Sequence, residues 1–490
     1  MASHNGVTAS EKRRPSRTSQ NGRSRSRGRG ETLPVHQNDV DQSNGVTRRI
    51  KPAGESGRSG VDPWHFLRII FRSSSKASRI CNLLWPVVPA AIAVRYALPD
   101  NKTSHLIVFI LAYLAMIPCA NLIGFAGQEL ARKCPHVWGV LIETTVGSIV
   151  EIILFMVLIS RVNEEAVAGG GIDYIEVIKA AILGSILATM LLCLGLCFIA
   201  GGIRRDEQTF SESVSEAGSG LLLTAYAHPL PLPFNQSTNK PPSGFGLAIP
   251  TAFQASLSGG SFSDADIKRK AVDISRITAV LLIIAYFVFI YFQARSHHGI
   301  YDAIFEADEE KDRDRTRDLK KEKLTLTECV LSLVVSVALV TIIAIALVDQ
   351  IHSIVQDRGV SDSFMGLILV PLVEKAAEHL TAIDEAYDNQ MNFALSHVLG
   401  ATLQTALFNA PLVVIVGWGL NRDMGLNFEI FNLIVLILAI ITVGNFLRDQ
   451  KSNYLEGFLC VIVYVAVAVA AAYYPNPVHG GGEGGAEGGH

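Results

Sequence analysis

Long runs of apolar residues recur along the chain, at roughly 80–98, 104–127, 136–160, 174–200, 273–293, 326–348, 361–384, 391–419, 427–446 and 453–473. Each is close to the ~20 residues that a helix needs to cross the hydrocarbon core of a bilayer. An eleventh stretch, 212–255, is irregular: apolar residues Gly220–Thr224 and Leu247–Phe253 flank Pro-rich material from Pro229 to Pro242. Residues 226–245 therefore read either as a true excursion from the membrane or as an error in the coding sequence. The pattern predicts an all-α polytopic membrane protein with about eleven transmembrane helices. Short-loop charge agrees with an odd count. Arg132-Lys133, Arg204-Arg205, Lys320-Lys321 and Arg448 with Lys451 fall in alternate loops, whereas 163–173 and 420–426 are poorer in Lys and Arg. The positive-inside bias then places the N-terminus in the cytosol and the C-terminus across the membrane.

Polar positions inside the apolar runs carry the chemistry. The stretch Phe364–Gly419 holds Glu374, Lys375, Glu378 and His379 near the middle of a predicted span, then a short polar link Asp384–Asn392, then Gln404 and Asn409 in an apolar run. Ionisable side chains at that depth cost several kcal/mol each unless they pair or face water, so they mark an ion path. Glu374 and Glu378 share a helix face, as do Lys375 and His379, and Lys375 neighbours Glu378. An earlier helix supplies a counterpart: Glu151 lies in what reads as an uninterrupted apolar helix, with Glu143 two turns before it. Gly184–Met190 in the next span is close in pattern to Gly400–Ala406, with Thr189 marking the first copy and Gln404 the second. A glutamate helix followed by a Gly/Ser/Thr-rich helix thus occurs twice, five spans apart and hence in opposite orientation. That predicts two inverted-topology five-helix repeats after a first helix, with a site at the membrane midplane. The small residues permit close helix approach and lend hydroxyl and backbone oxygens to a cation.

The predicted organisation is a disordered basic N-terminal tail and juxtamembrane segment over 1–79, a first helix and repeat over 80–300, a charged linker over 301–325, a second repeat over 326–475 and a Gly-rich tail over 476–490. The loop 302–323, acidic first and basic later, reads as a solvated linker. At 490 residues, 49% hydrophobic and 18% charged, the chain is too apolar for a soluble protein. Residues 1–60 lack the apolar content to fold, and contain no signal-peptide core. Their Arg23–Arg29 run reads as a solvated cytosolic tail, so no nucleic-acid partner is expected and the surrounding partner is lipid. The seven cysteines form no CxxC pair, which indicates neither a zinc site nor a disulfide framework. Neither a GxxxxGK[ST] loop nor an Asp-Lys-Thr-Gly phosphorylation sequence is present, so a proton gradient rather than ATP is the expected energy source.

Several segments point to one family. Ala376-Ala-Glu-His-Leu-Thr381, Gly400 to Gln404, Ala406-Leu-Phe408, Pro411, Val416-Gly-Trp418, Ile274-Ser-Arg-Ile-Thr-Ala279 and Gly184-Ser-Ile-Leu resemble the cation/proton exchanger (CAX) family of the calcium:cation antiporter superfamily, over roughly residues 80–475. The resemblance implies a secondary carrier, not an enzyme, that exchanges Ca²⁺ for protons by alternating access, often at the vacuolar or another acidic endomembrane. It needs no cofactor; Ca²⁺ and protons are the transported ions. It maps the ion-binding carboxylates onto Glu151 and Glu378, with Gln404 as a further site residue; Thr189, Ser148 and His379 complete the expected cation- and proton-binding set. Three departures stand out. The family's Gly-Asn-Ala-x-Glu signature is Gly147-Ser148-Ile149-Val150-Glu151 here, its second Gly-Asn is Glu374-Lys375, and its fifth span is split. Glu374, Lys375 and Glu143 are accordingly expected modulators, with Lys375 paired to a carboxylate. Two alternatives stay open: a monovalent (Na⁺ or K⁺)/H⁺ antiporter of the same fold, and a transport-inactive regulatory homologue. Ion selectivity, stoichiometry and oligomeric state are left open as well.

Overall fold

The computed structural model of the chain describes residues 56, 60–72, 76–162, 173–215, 248–257, 263–312, 315 and 321–474. Among them, α1 (Pro63–Arg72) precedes the apolar helices α2 (Ser78–Ala97), α3 (Lys102–Ala131), α4 (Val137–Arg161) and α5 (Tyr174–Gly202). A short helix α6 (Ala248–Leu257) leads to α7 (Ala265–Ser296) and the polar helix α8 (His298–Lys311). Next come α9 (Leu326–Arg358), a broken helix α10 over 362–387, α11 (Met391–Gly419), α12 (Ile430–Phe446) and α13 (Tyr454–Ala472). Eight of these helices are long and apolar enough to cross a membrane, and α12 is a shorter apolar helix. The chain is an all-α polytopic membrane protein. A two-residue antiparallel pair, β1 (Gln208–Thr209) with β2 (Lys451–Ser452), ties the segment after α5 to the one before α13.

Local chemistry sets where the helices begin. Asn101 caps α3 by accepting from the amides of Thr103 and Ser104, and Thr325 with Glu328 forms a reciprocal capping box on α9. Gly359 closes α9 in the left-handed conformation that favours glycine. α5 and α11 are enclosed, whereas α7, α9 and α13 turn large apolar side chains such as Leu281, Phe287, Val334, Phe458 and Ile462 outward. Unpartnered apolar faces of that length match a lipid surround.

Packing obeys the inverted repeat. The opening helices of the two repeats, α3 and α9, pack along their lengths. The second half of α5 packs on α13, the last helix of the other repeat, and the second half of α11 packs on α7 in the reciprocal way. The interruptions match too. α4 breaks at Ser148 (φ −74°, ψ −3°) and α10 breaks at Lys375 (φ −93°, ψ −1°). α5 widens into a π-turn at Ala188–Cys193, and α11 does so at Thr405–Asn409. Such bulges free backbone groups and shift side chains, and they concentrate at functional sites. Where α5 crosses α10 the backbones nearly touch: a Cβ on Gly184 would run into the carbonyl of Leu367, and one on Gly366 would lie 2.7 Å from the carbonyl oxygen of Val177. Glycine is required there for close approach.

Several expectations are corrected. The helix carrying Glu151 is not continuous; it breaks at Ser148. The polar link is shorter than 384–392, because the last part of α10, Ala376–Tyr387, stays helical and keeps Glu385 on the protein-facing side. The stretch 302–323 is not all solvated linker. α8 runs to Lys311 and buries Asp308, which accepts from the Asn392 amide (2.7 Å) and its side chain (2.9 Å). Within 1–79, Pro63–Arg72 is helical and buries Ile69 and Ile70. The tails 1–55 and 475–490 and most of the irregular fifth span, including 226–245, lie outside the described residues.

Candidate cation site

The two breaks place one glutamate each at the centre of the molecule. Glu151 and Glu378 both sit in the first turn of the half-helix that follows a break, three residues after Ser148 and Lys375 respectively. The partial positive charge of each half-helix N-terminus thus faces the buried carboxylate it carries. Glu151 is fully enclosed. It accepts from the Thr405 hydroxyl (3.0 and 2.9 Å to its two oxygens) and from Asn409 Nδ2 (2.7 Å). Both partners lie on the π-turn of α11, so the widened turn exists where its side chains are used. Glu378 Oε1 accepts from the Ser148 hydroxyl at 3.3 Å. Gly147 leaves the space for this contact: a Cβ there would come within 2.6 Å of Glu378 Oε1.

Lys375 joins the two carboxylates. Its Nζ lies 2.8 Å from Glu151 Oε2 and 3.1 Å from Glu378 Oε2, and the side chain is 1% exposed. Glu374, also enclosed, interacts electrostatically with Glu151, Lys375 and Glu378. With every group ionised, these three carboxylates and one ammonium leave two uncompensated negative charges. A dry interior does not sustain that, since a buried unpaired charge costs several kcal/mol.

The other expected residues fall into two groups. Thr189 Oγ1 lies 3.4 Å from His379 Nε2 and donates to the Ser185 carbonyl, so it supports the site from α5. Gln404 is buried with neither amide atom hydrogen-bonded. Glu143 does not reach Lys375. Its nearest ionisable partner is His397, at 3.4 Å, about two turns away along the helices. Sequence reasoning missed four participants. Thr405 stands five residues after Gly400, as Thr189 stands five after Gly184, and that repeat is the signal that could have found it; Asn409 was visible as a polar residue in that run but had no assigned partner. Glu385 lies within the stretch 384–392 that reads as a polar link, and His397 stands alone in an apolar run.

A membrane-embedded pair of acidic helices related by inverted topology, with carboxylates meeting at the crossing, defines a secondary ion exchanger. The family described as "Sodium/calcium exchanger protein" matches residues 104–295 and 329–473, and the chain belongs to it. It is 30% identical to the "Vacuolar calcium ion transporter" of Schizosaccharomyces pombe over 81% of this chain and 85% of that protein. It is 31% identical to a "Ca(2+)/H(+) antiporter" of Synechocystis over 82% of this chain and 100% of that one. Its fold superposes on that of YfkE with a TM-score of 0.59 at 23% identity, covering 80% of this chain and 100% of that chain.

Proposed function

We propose that the chain is a cation/proton antiporter that exchanges Ca²⁺ for protons across a vacuolar or similar acidic endomembrane, with Glu151 and Glu378 as the ion-carrying carboxylates. One observation carries the reading: the cluster of Glu151, Glu374, Glu378 and Lys375, enclosed but for an 11% exposure of Glu378, lacks two positive charges. One Ca²⁺ or two protons supply that deficit. Ca²⁺ takes oxygen ligands, which the two glutamates, Ser148, Thr405, the Asn409 and Gln404 amide oxygens and the carbonyls at the helix breaks provide. Either neutralised form can rock across the low-dielectric barrier, whereas the empty form, with two uncompensated charges, is held back. Coupled exchange follows from that exclusion. His379 and Thr189 line the same centre and are assigned to proton handling.

Lys375 is a tethered cation within the site. When Ca²⁺ enters, the ammonium must swing from between Glu151 and Glu378, and Glu374 is the carboxylate that receives it. The same ammonium is the observation that favours a second reading, exchange of a monovalent cation, because it already neutralises one carboxylate. Glu374 decides for the divalent ion by restoring the charge that Lys375 removes. The test is uptake of ⁴⁵Ca²⁺, ²²Na⁺ and ⁸⁶Rb⁺ into proteoliposomes of the purified chain under an imposed pH gradient. Gradient-driven ⁴⁵Ca²⁺ uptake is expected; uptake of ²²Na⁺ or ⁸⁶Rb⁺ without ⁴⁵Ca²⁺ would transfer the assignment to the monovalent reading, and no uptake of any ion would leave a transport-inactive homologue.

A further inference from the structure

A second cluster of ligand atoms lies on the same three helices, toward the α10–α11 turn. Glu143 on α4, Glu385 on α10 and His397 on α11 bring one ligand atom each within 4.8 Å of one another. Each stands seven or eight residues from Glu151, Glu378 or Gln404 on its own helix, about 10–12 Å along the axis. His397 is 7% exposed, and its two ring nitrogens face different carboxylates. Nδ1 lies 2.7 Å from Glu385 Oε2, whereas Nε2 makes no hydrogen bond and lies 3.4 Å from Glu143 Oε2. Glu143 Oε1 is buried and likewise lacks a hydrogen-bond partner.

That arrangement is the one a metal-bound histidine adopts. A carboxylate accepting from Nδ1–H fixes the tautomer and turns the lone pair of Nε2 toward the metal. Two ligands around a tetrahedral ion with bonds of ~2.0–2.1 Å stand ~3.4 Å apart, which is the separation of His397 Nε2 from Glu143 Oε2. The cluster also lies between two cavities. One, of about 100 Å³, is lined by Gln128, Thr381, Asp384, Glu385 and Asp388; the other, of about 20 Å³, is lined by Glu143, Gly147, Thr189, Glu378 and His397. The smaller one holds about a single water and reaches from the cluster to the central carboxylate.

We propose that Glu143 and His397, oriented by Glu385, form a second cation site on the path to Glu378, one that takes a divalent ion of the Zn²⁺ or Mn²⁺ class. An imidazole nitrogen with carboxylate oxygens suits such ions better than Ca²⁺, which prefers an all-oxygen shell. The site is separate from the Glu151–Glu378 centre and does not depend on which ion that centre carries.

The experiment is calorimetric titration of the purified full chain with Zn²⁺ in saturating Ca²⁺, alongside Co²⁺ titration read by its visible absorption bands. The wild type is expected to bind about one Zn²⁺ that His397→Gln weakens at least tenfold. Glu385→Gln, which removes only the orienting group, is expected to weaken it by about tenfold, the usual range for a residue that supports a ligand. Equal Zn²⁺ affinity in the wild type and His397→Gln overturns the proposal. So does the absence of Zn²⁺ binding in a monodisperse wild-type sample, which would leave His397 as a protonated bridge between two carboxylates. Should the His397 variant fail to fold, the Co²⁺ spectrum of the wild type decides: the intense bands of a four-coordinate site support the proposal, and the weak bands of a six-coordinate shell overturn it. Loss of Ca²⁺ exchange with Zn²⁺ binding intact would count against the proposed function alone.

Discussion

At the scale of single residues, the charge count of the centre governs what each substitution does. Glu378→Gln keeps the shape of the side chain but releases no proton and balances no cation, so exchange is expected to fall to background while the protein remains inserted and monodisperse. ⁴⁵Ca²⁺ uptake and size-exclusion profiles check this together, and near-normal uptake would remove Glu378 from the site. Lys375→Asn leaves three buried carboxylates without their ammonium. Removing one positive charge ~4 Å from a bound divalent ion is worth about 8 kcal/mol at an effective dielectric near 20. Ca²⁺ affinity should therefore rise by at least tenfold, while the ion-free protein loses about 3–5 kcal/mol, the usual cost of breaking a buried pair. Calorimetric Kd and Tm values with and without Ca²⁺ read both effects. The double substitution Glu374→Gly with Lys375→Asn restores the deficit of two charges and should return the affinity to near the wild-type value. Equal affinities in the single and double variants would show that Glu374 lies outside the site's charge balance.

At the scale of elements, hydropathy located the spans because the bilayer imposes one length and one polarity on all of them. The glutamates Glu151 and Glu378 and the pairing of Lys375 were legible for the same reason: a charge in an apolar run has few reasons to be there. The breaks at Ser148 and Lys375 and the π-turns of α5 and α11 were not legible, because they arise from tertiary crossings and leave no period in the sequence. Glu385 illustrates the cost. Flanked by Asp384 and Asp388, it reads as loop, yet the helix continues for two more residues and turns it toward His397. Likewise, Gly184 and Gly400 occupy matching places in the repeat but not matching surroundings. A Cβ on Gly184 overlaps the backbone of Leu367, whereas one on Gly400 meets only Thr144 at an ordinary 3.6 Å. Gly184→Ala should therefore push α5 from α10, lower stability by about 1–3 kcal/mol as overpacking does, and abolish exchange. Gly400→Ala should leave Tm and uptake near wild type; a similar loss in both would mean that the crossing is not the determinant.

At the scale of the whole molecule, the reciprocal packing of α5 on α13 and of α11 on α7 fits two repeats related by a two-fold axis, and with that axis in the membrane plane the repeats lie in opposite orientation. Opposite orientation requires an even number of crossings between α4 and α10, which then stand five spans apart, and hence five crossings per repeat. Among the described residues the second repeat supplies its five as α9 to α13. In the first repeat, α3, α4, α5 and α7 supply four among the described residues, and an inverted repeat calls for one more between α5 and α7. With α2 added, we propose a count of eleven, which would put the two termini on opposite sides. The loops rich in Arg and Lys, including Arg132-Lys133 and Arg204-Arg205, then share the side of the N-terminus. Epitope tags inserted before residue 60 and within 313–320 should be digested by protease from the same face of sealed vesicles, and a tag after residue 480 only from the other. Digestion of all three tags from one face would mean that the segment from 212 to α6 does not cross. The first repeat would then hold four crossings, α4 and α10 would run in the same direction, and the inverted pairing of Glu151 with Glu378 would fail with it.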